Sequence, residues 1–184
     1  MRPESLVLTI GHSTRALPEF LALLAEFEAT TLVDVRRYPG SRRYPHFGGP
    51  ALARALAAAG IGYVHEPDLG GRRDPAPDSV NTAWRVAAFR GYADHLASPE
   101  FRAGLERVIA LASSEAGRPV IMCAEAVPWR CHRQLIADAL VARGVAVRHI
   151  LGPGQERGHE LNPSARPGPD GVLVYPAPAP RRLI

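Results

Sequence analysis

Lysine is missing altogether: every one of the 22 basic side chains in this 184-residue chain is arginine. Without a side-chain primary amine there is no Schiff-base lysine, and a Walker-type phosphate loop, which depends on lysine, is excluded as well. Cysteine is scarce, with Cys123 and Cys131 the only two. That is too few for a disulfide scaffold, and in a reducing compartment both thiols stay free, which leaves thiol or metal chemistry as their use. No run approaches the roughly 18 apolar residues that a membrane span needs. Met1 to Ser5 leads into the first apolar run without the basic region, long apolar segment and small-residue cleavage site of a secretory signal. The expectation is a cytoplasmic chain with no membrane partner.

What is present reads as an ordinary globular domain. The hydrophobic fraction is 46% and the charged fraction 22%, close to globular averages, so a core can be buried without disulfides or a structural metal. The net charge of +4 favours anionic partners, but scattered arginines do nothing specific, so clustering must decide.

Short apolar runs alternate with helical spacing along the chain. Leu6 to Ile10 is a strand that stops at Gly11-His12-Ser13, after which Pro18 opens a helix carrying Phe20, Leu23, Leu24 and Phe27. Thr31 to Val35 repeats the strand signal, and a second helix bearing Leu52, Ala55, Leu56 and Ala59 is closed by Gly60. Ile61 to Val64 is a third strand, followed by a Gly- and Pro-rich excursion over Asp68 to Asp78. Phe89, Tyr92 and Leu96 mark one helix, and Ser98-Pro99-Glu100 caps another. Pro119 to Met122 reads as a buried strand, Cys131 to Arg143 as a helix ended by Gly144, and Val145 to Leu151 as a strand. Gly152 to Pro169 reads as loop, and Val172 to Tyr175 as an edge strand. Residues 1–176 therefore form a single-domain α/β three-layer sandwich with a mostly parallel sheet, Rossmann-like or flavodoxin-like, and 177–184 a proline-rich tail.

In such a sheet ligands bind beyond the carboxyl ends of the strands. That rule gathers His12 and Ser13, Asp34 and Arg36, His65 and Glu66, and Cys123 and Glu125 at one edge. Singly, some have a plainer reading: His65 as a loop residue and Ser13 as a helix cap. Asp34 is different, because a carboxylate inside Leu32-Val33-Asp34-Val35 must find a partner or stay protonated, and Arg36 shares its strand face. The densest stretch is Cys123 to Arg133, where a strand turns at Pro128 into a helix among thiol, acid, imidazole and guanidinium groups. A cysteine at a helix N-terminus beside arginines has a lowered thiol pKa, which favours Cys131 as a thiolate and leaves Cys123 as core. The spacing is not that of the phosphatase and rhodanese loop, because Trp129, not arginine, stands six positions after Cys123. A metal centre from Cys123, Cys131, His132 and His12 matches no standard spacing and ranks below anion binding, so no cofactor is expected and a metal ion is left open. A second cluster interleaves Arg36, Arg37, Arg42 and Arg43 with Tyr38 and Tyr44 around Ser41. Arginine forks suit phosphate and aromatic faces suit bases, and the Gly70-Gly71 turn with Arg72 and Arg73 adds to that reading.

Gly11-His12-Ser13, Asp34-Val35-Arg36, Pro39 with Ser41-Arg42-Arg43, Leu69-Gly70-Gly71, Cys123-Ala124-Glu125 and Cys131-His132-Arg133 resemble, in that order, the domain of unknown function 488. The resemblance runs on through His149, Glu160-Leu161, Pro163, Ala165-Arg166 and Tyr175-Pro176, and so covers Leu6 to Pro176. Val127 departs from it, where the family often has an acid before the proline. The resemblance implies a compact α/β fold and a shared polar pocket, while the family's name assigns no activity.

Two expectations follow, with a third behind them. The first is an enzyme, a hydrolase or transferase on a phosphate-bearing substrate, a nucleotide or nucleic acid. Ser13, Arg36, Ser41, Arg42, Arg43, Gly70, Gly71 and Arg133 would bind, Asp34 or Glu125 would act as general acid or base, His12 and His132 would shuttle protons, and Cys131 would serve as nucleophile or lining. The second is a non-catalytic module for an anionic small molecule or nucleic acid, in which the carboxylates only hold arginines. The third is a metal or thiol redox site. Sequence leaves the oligomeric state open.

Overall fold

In the computed structural model, which describes residues 5–115 and 117–178, the apolar runs become the strands of one twisted sheet. In chain order they are β1 (Leu6–Gly11), β2 (Thr31–Asp34), β3 (Gly62–His65), β4 (Pro119–Cys123), β5 (Ala146–Gly152) and β6 (Gln155–Gly158). Their spatial order is β3-β2-β4-β1-β5-β6, parallel except where β6 returns antiparallel on β5. The central strands β1 and β4 are buried over almost every residue, as expected of strands covered on both faces.

The covering helices are α1 (Leu17–Glu26), α2 (Gly49–Ala58), α3 (Ala87–His95), α4 (Pro99–Ala112) and α5 (Arg133–Ala142). Alternation along each strand sends one set of side chains to each helical layer. Leu8, Ile10, Leu32, Val120 and Met122 pack with Phe20 and Leu24 of α1 and with Leu52 and Leu56 of α2. Val7, Val33, Ile121 and Cys123 pack instead with Tyr92, Phe101, Val108, Leu135 and Leu140 from α3, α4 and α5. This is a three-layer α/β sandwich, doubly wound as in the Rossmann and flavodoxin arrangements but with its own strand order.

The terminating signals act where expected. Gly60 and Gly144 take positive φ (73° and 77°) just past α2 and α5, and the Ser98 side chain accepts the Phe101 N–H at the start of α4. Three local expectations need correction. Gly152 to Pro169 is not all loop, because it contains β6 and the short β7 (Arg166–Pro167). The anticipated edge strand is β8 (Leu173–Val174), which pairs only with β7 in a separate two-stranded sheet. Helix α5 begins at Arg133, since Pro128–Arg130 forms a 3₁₀ turn and Cys131 is extended (φ −136°, ψ 150°). Of the N-terminal segment and the proline-rich tail, 1–4 and 179–184 lie outside the described residues. Among the described residues no helix is long and apolar enough to cross a membrane.

Candidate functional site

Because β2, β4 and β1 are neighbours and parallel, the loops leaving them emerge at one edge, and there a cleft of about 920 Å³ opens. The β1 loop contributes His12 and Ser13, and the β2 loop Arg36, Arg37, Tyr38, Ser41, Arg43 and Tyr44. The β4 loop adds Cys123, Glu125, Arg130, Cys131 and His132, and Gly71, Arg72, Phe89 and Tyr92 close the remaining side.

The β1 and β4 loops are tied by backbone bonds, His12 N to Cys123 O at 3.0 Å and Ser13 N to Ala124 O at 2.9 Å. Ser13 and Arg72 both hold left-handed backbone (φ 48° and 60°), a conformation non-glycine residues adopt only when their surroundings impose it. Ser13 does not cap α1, whose N-cap position is Ala16.

His12 is stacked on Phe47 with ring centroids 4.4 Å apart, and its Nδ1 donates to Ser13 O at 3.0 Å. Burial pushes its pKa down to about 4, so the ring is neutral near pH 7, with the Nε2 lone pair 3.5 Å from Arg36 Nη1. Asp34 is fully buried. It accepts from Arg36 Nε at 2.8 Å, from Arg36 Nη2, from the Arg36 N–H and from Tyr63 OH at 2.9 Å. Arg36 Nη2 also donates to Phe47 O at 2.8 Å, so this guanidinium is held as part of the wall.

At the floor, Cys123 Sγ and Cys131 Sγ lie 2.6 Å apart, and His132 Nδ1 is 3.6 Å from Cys131 Sγ. Burial raises the Cys123 thiol. For Cys131 burial acts in the same sense, but the Cys123 thiol, His132 and Arg133 outweigh it and bring the pKa well below the ordinary thiol value. The expected lowered thiol is therefore Cys131, although it stands before the helix and not in its first turn. Its neighbour Arg133 is buried beneath the β4 loop, donating to Glu125 O at 2.7 Å and Thr9 Oγ1 at 3.1 Å.

The structure thus brings His12, Ser13, Arg36, Ser41, Arg43, Gly71, Glu125, Cys131 and His132 to one cleft. Asp34, Arg42, Gly70 and Arg133 do not line it: Asp34 and Arg133 lie behind the wall, Arg42 faces solvent, and Gly70 packs on Arg37. Gly71 serves packing too, since a Cβ there would meet His132 Nδ1 at 2.8 Å. Ser41 Oγ accepts the Tyr44 N–H at 2.9 Å and so shapes the arginine loop. His65 and Glu66 stay outside, the first on Arg36 O and the second on Arg107. Among the described residues no group of three or more His, Cys, Asp or Glu could hold a metal ion, so the set Cys123, Cys131, His132 and His12 is not assembled as ligands.

Two features were missed in the sequence. Tyr92 and Phe89 read as core positions at helical spacing, yet they border the cleft, with the Tyr92 ring 4.9 Å from His132. A second cavity of about 330 Å³ lies beside α5, β5 and β6, lined in part by Trp129, His149 and His159. Behind it Asp138, His159, His149 and Thr9 are joined by bonds of 2.8, 3.0 and 2.7 Å. Nothing in the local sequence around Asp138 marks it, because its partners come from distant segments.

Comparison with curated proteins and with solved structures finds no match. The family model for the domain of unknown function DUF488 matches residues 16–140. That span holds the arginine loop, Leu69-Gly70-Gly71, and both cysteines, while Gly11-His12-Ser13 and the motifs from His149 onward lie outside it. With more than half of its length matched, the chain belongs to the DUF488 family.

Proposed function

We propose that this chain is an enzyme acting on a phosphate-bearing substrate with a planar ring system, a nucleotide or a nucleic-acid strand, held in the cleft at the sheet's carboxyl edge. The observation that carries this reading is the balance of the lining. Arg37, Arg43, Arg72 and Arg130 face the cleft without a carboxylate partner among the described residues, and Glu125 is the one acid there. Tyr38, Tyr44 and Phe89 stand among them as stacking surfaces. In this scheme these arginines hold phosphate, and Glu125 and neutral His12 exchange protons with the substrate. Asp34 is a positioning residue, locking Arg36 in the wall, and Arg133 positions the β4 loop through Glu125 O.

A labelled single-stranded oligonucleotide and free nucleotides, titrated at several salt concentrations, test it. Binding weakens with salt, and Arg43→Ala or Arg130→Ala each costs on the order of tenfold in affinity, the loss of one charge-assisted contact. Glu125→Gln keeps binding and loses turnover. Arginine variants that bind like the native chain would remove the reading. The locking of Asp34 onto Arg36 and Tyr63 favours a second reading, a binding module without catalysis, and tight binding with no product from any bound probe would select it.

A further inference from the structure

The proposed acid–base chemistry does not require two thiols in contact. Cys123 and Cys131 lie eight positions apart, on the last residue of β4 and just ahead of α5, and the 3₁₀ turn Pro128–Arg130 folds the intervening loop back so that their sulfurs meet. Their Sγ–Sγ separation of 2.6 Å exceeds a disulfide bond of about 2.05 Å by little more than half an ångström. No disulfide joins the two cysteines in this structure, and both are buried side chains at the lining of the cleft.

The two thiols are not equivalent. Cys123 sits within the buried strand and donates toward Glu125 O at 3.8 Å, whereas Cys131 faces His132 Nδ1 and lies beside Arg133. His132 Nε2 is buried and has no hydrogen-bond partner, so this ring has one nitrogen on the Cys131 sulfur and the other uncommitted. Burial raises the Cys123 thiol, whereas at Cys131 burial is outweighed by the Cys123 hydrogen bond, then His132 and Arg133, so the two thiols move in opposite directions, as a division between attacking and resolving sulfur requires.

We propose that Cys123 and Cys131 form a redox-active pair that exchanges with low-molecular-weight disulfides entering the cleft, Cys131 attacking and Cys123 resolving. The Cys131 thiolate attacks one sulfur of a disulfide RS–SR, forming a mixed disulfide and expelling RS⁻. The expelled thiolate takes the Cys123 proton and leaves as RSH. Cys123 then attacks Cys131 Sγ, closing the protein disulfide and expelling the second RS⁻. The protein dithiol is oxidised by two electrons and the small disulfide is reduced by two. The arginine lining favours an acidic disulfide, which makes oxidised glutathione the probe of choice.

The reduced chain is incubated with oxidised glutathione, then acid-quenched for intact mass and for thiol titration under denaturing conditions. The native chain loses both thiols and two hydrogens, with no adduct retained. Cys123→Ala accumulates one glutathione on Cys131, while Cys131→Ala reacts at Cys123 more slowly, by on the order of tenfold or more. Both thiols persisting in the folded chain while the urea-unfolded chain oxidises would overturn the proposal, as would equal rates for the two variants. Should either variant fail to fold by circular dichroism, alkylation of the native chain with limiting iodoacetamide decides: Cys131 is modified first, and Cys123 modified first or equally refutes the assignment. Oligonucleotide binding by the arginine variants is read separately, so the phosphate reading and the dithiol reading can fail independently.

Discussion

Asp34 shows how much a single residue can say. Its carboxylate in an apolar strand demanded a cation, and Arg36, two positions on, supplies one through two side-chain bonds. Legibility ended at the next step, because Tyr63 on the adjacent strand β3 also donates to Asp34, and neighbouring strands cannot be ordered from one sequence. Burial and the Asp34 charge accordingly raise the Tyr63 pKa. Asp34→Asn leaves the Arg36 guanidinium, 8% exposed, without its counter-charge. The expected loss is about 3–5 kcal/mol in urea unfolding, whereas Tyr63→Phe costs about 1 kcal/mol. A loss for Asp34→Asn no larger than that for Tyr63→Phe would show the pair to be dispensable.

At the scale of elements, the parallel strands and all five helices could be read because apolar periodicity, Pro18, Gly60, Ser98 and Gly144 mark them locally. β6 could not: all four of its residues, Gln155 to Gly158, are exposed, and it exists through its bonds to β5, with no apolar face of its own. The early start assigned to α5 failed for a similar reason, since the 3₁₀ turn Pro128–Arg130, after which Cys131 is extended, packs against β1, a contact between distant segments. Gly11 is where that packing is tightest. A Cβ there would stand 1.8 Å from Glu125 O and 2.6 Å from its carbonyl carbon, a backbone collision that no rotamer relieves. Gly11→Ala is expected to displace the β4 loop, lowering stability by about 1–3 kcal/mol. Gly40→Ala, with open space around its Cβ, serves as the control in thermal unfolding. Equal melting temperatures for the two variants would mean that the β4 loop adjusts freely.

Across the whole molecule, one chain of hydrogen bonds joins the β4 loop to the C-terminal segment. Arg133 donates to Thr9 Oγ1, which shares a second bond with His149 Nδ1. His149 Nε2 and His159 Nδ1 share the next bond, and His159 Nε2–H donates to Asp138, which also receives Tyr175 OH and the Asn162 N–H. Burial first, then the charges of His159, Arg133 and Arg157, lower the His149 pKa from 6.5 to about 3, and His12 beside the cleft is lowered by burial in the same sense. The unfolded chain therefore binds protons that the folded one refuses between about pH 6.5 and 3. The stabilisation is fully present above pH 6.5 and is lost as pH falls through that window, by about 1.4 kcal/mol per unit for His149 alone. Urea midpoints measured from pH 7.5 down to 5 should decline by an amount equivalent to about 2 kcal/mol or more, and His149→Gln should flatten the decline. A native curve level across that range would mean that His149 accepts a proton in the folded state, placing a charged ring at the centre of this network.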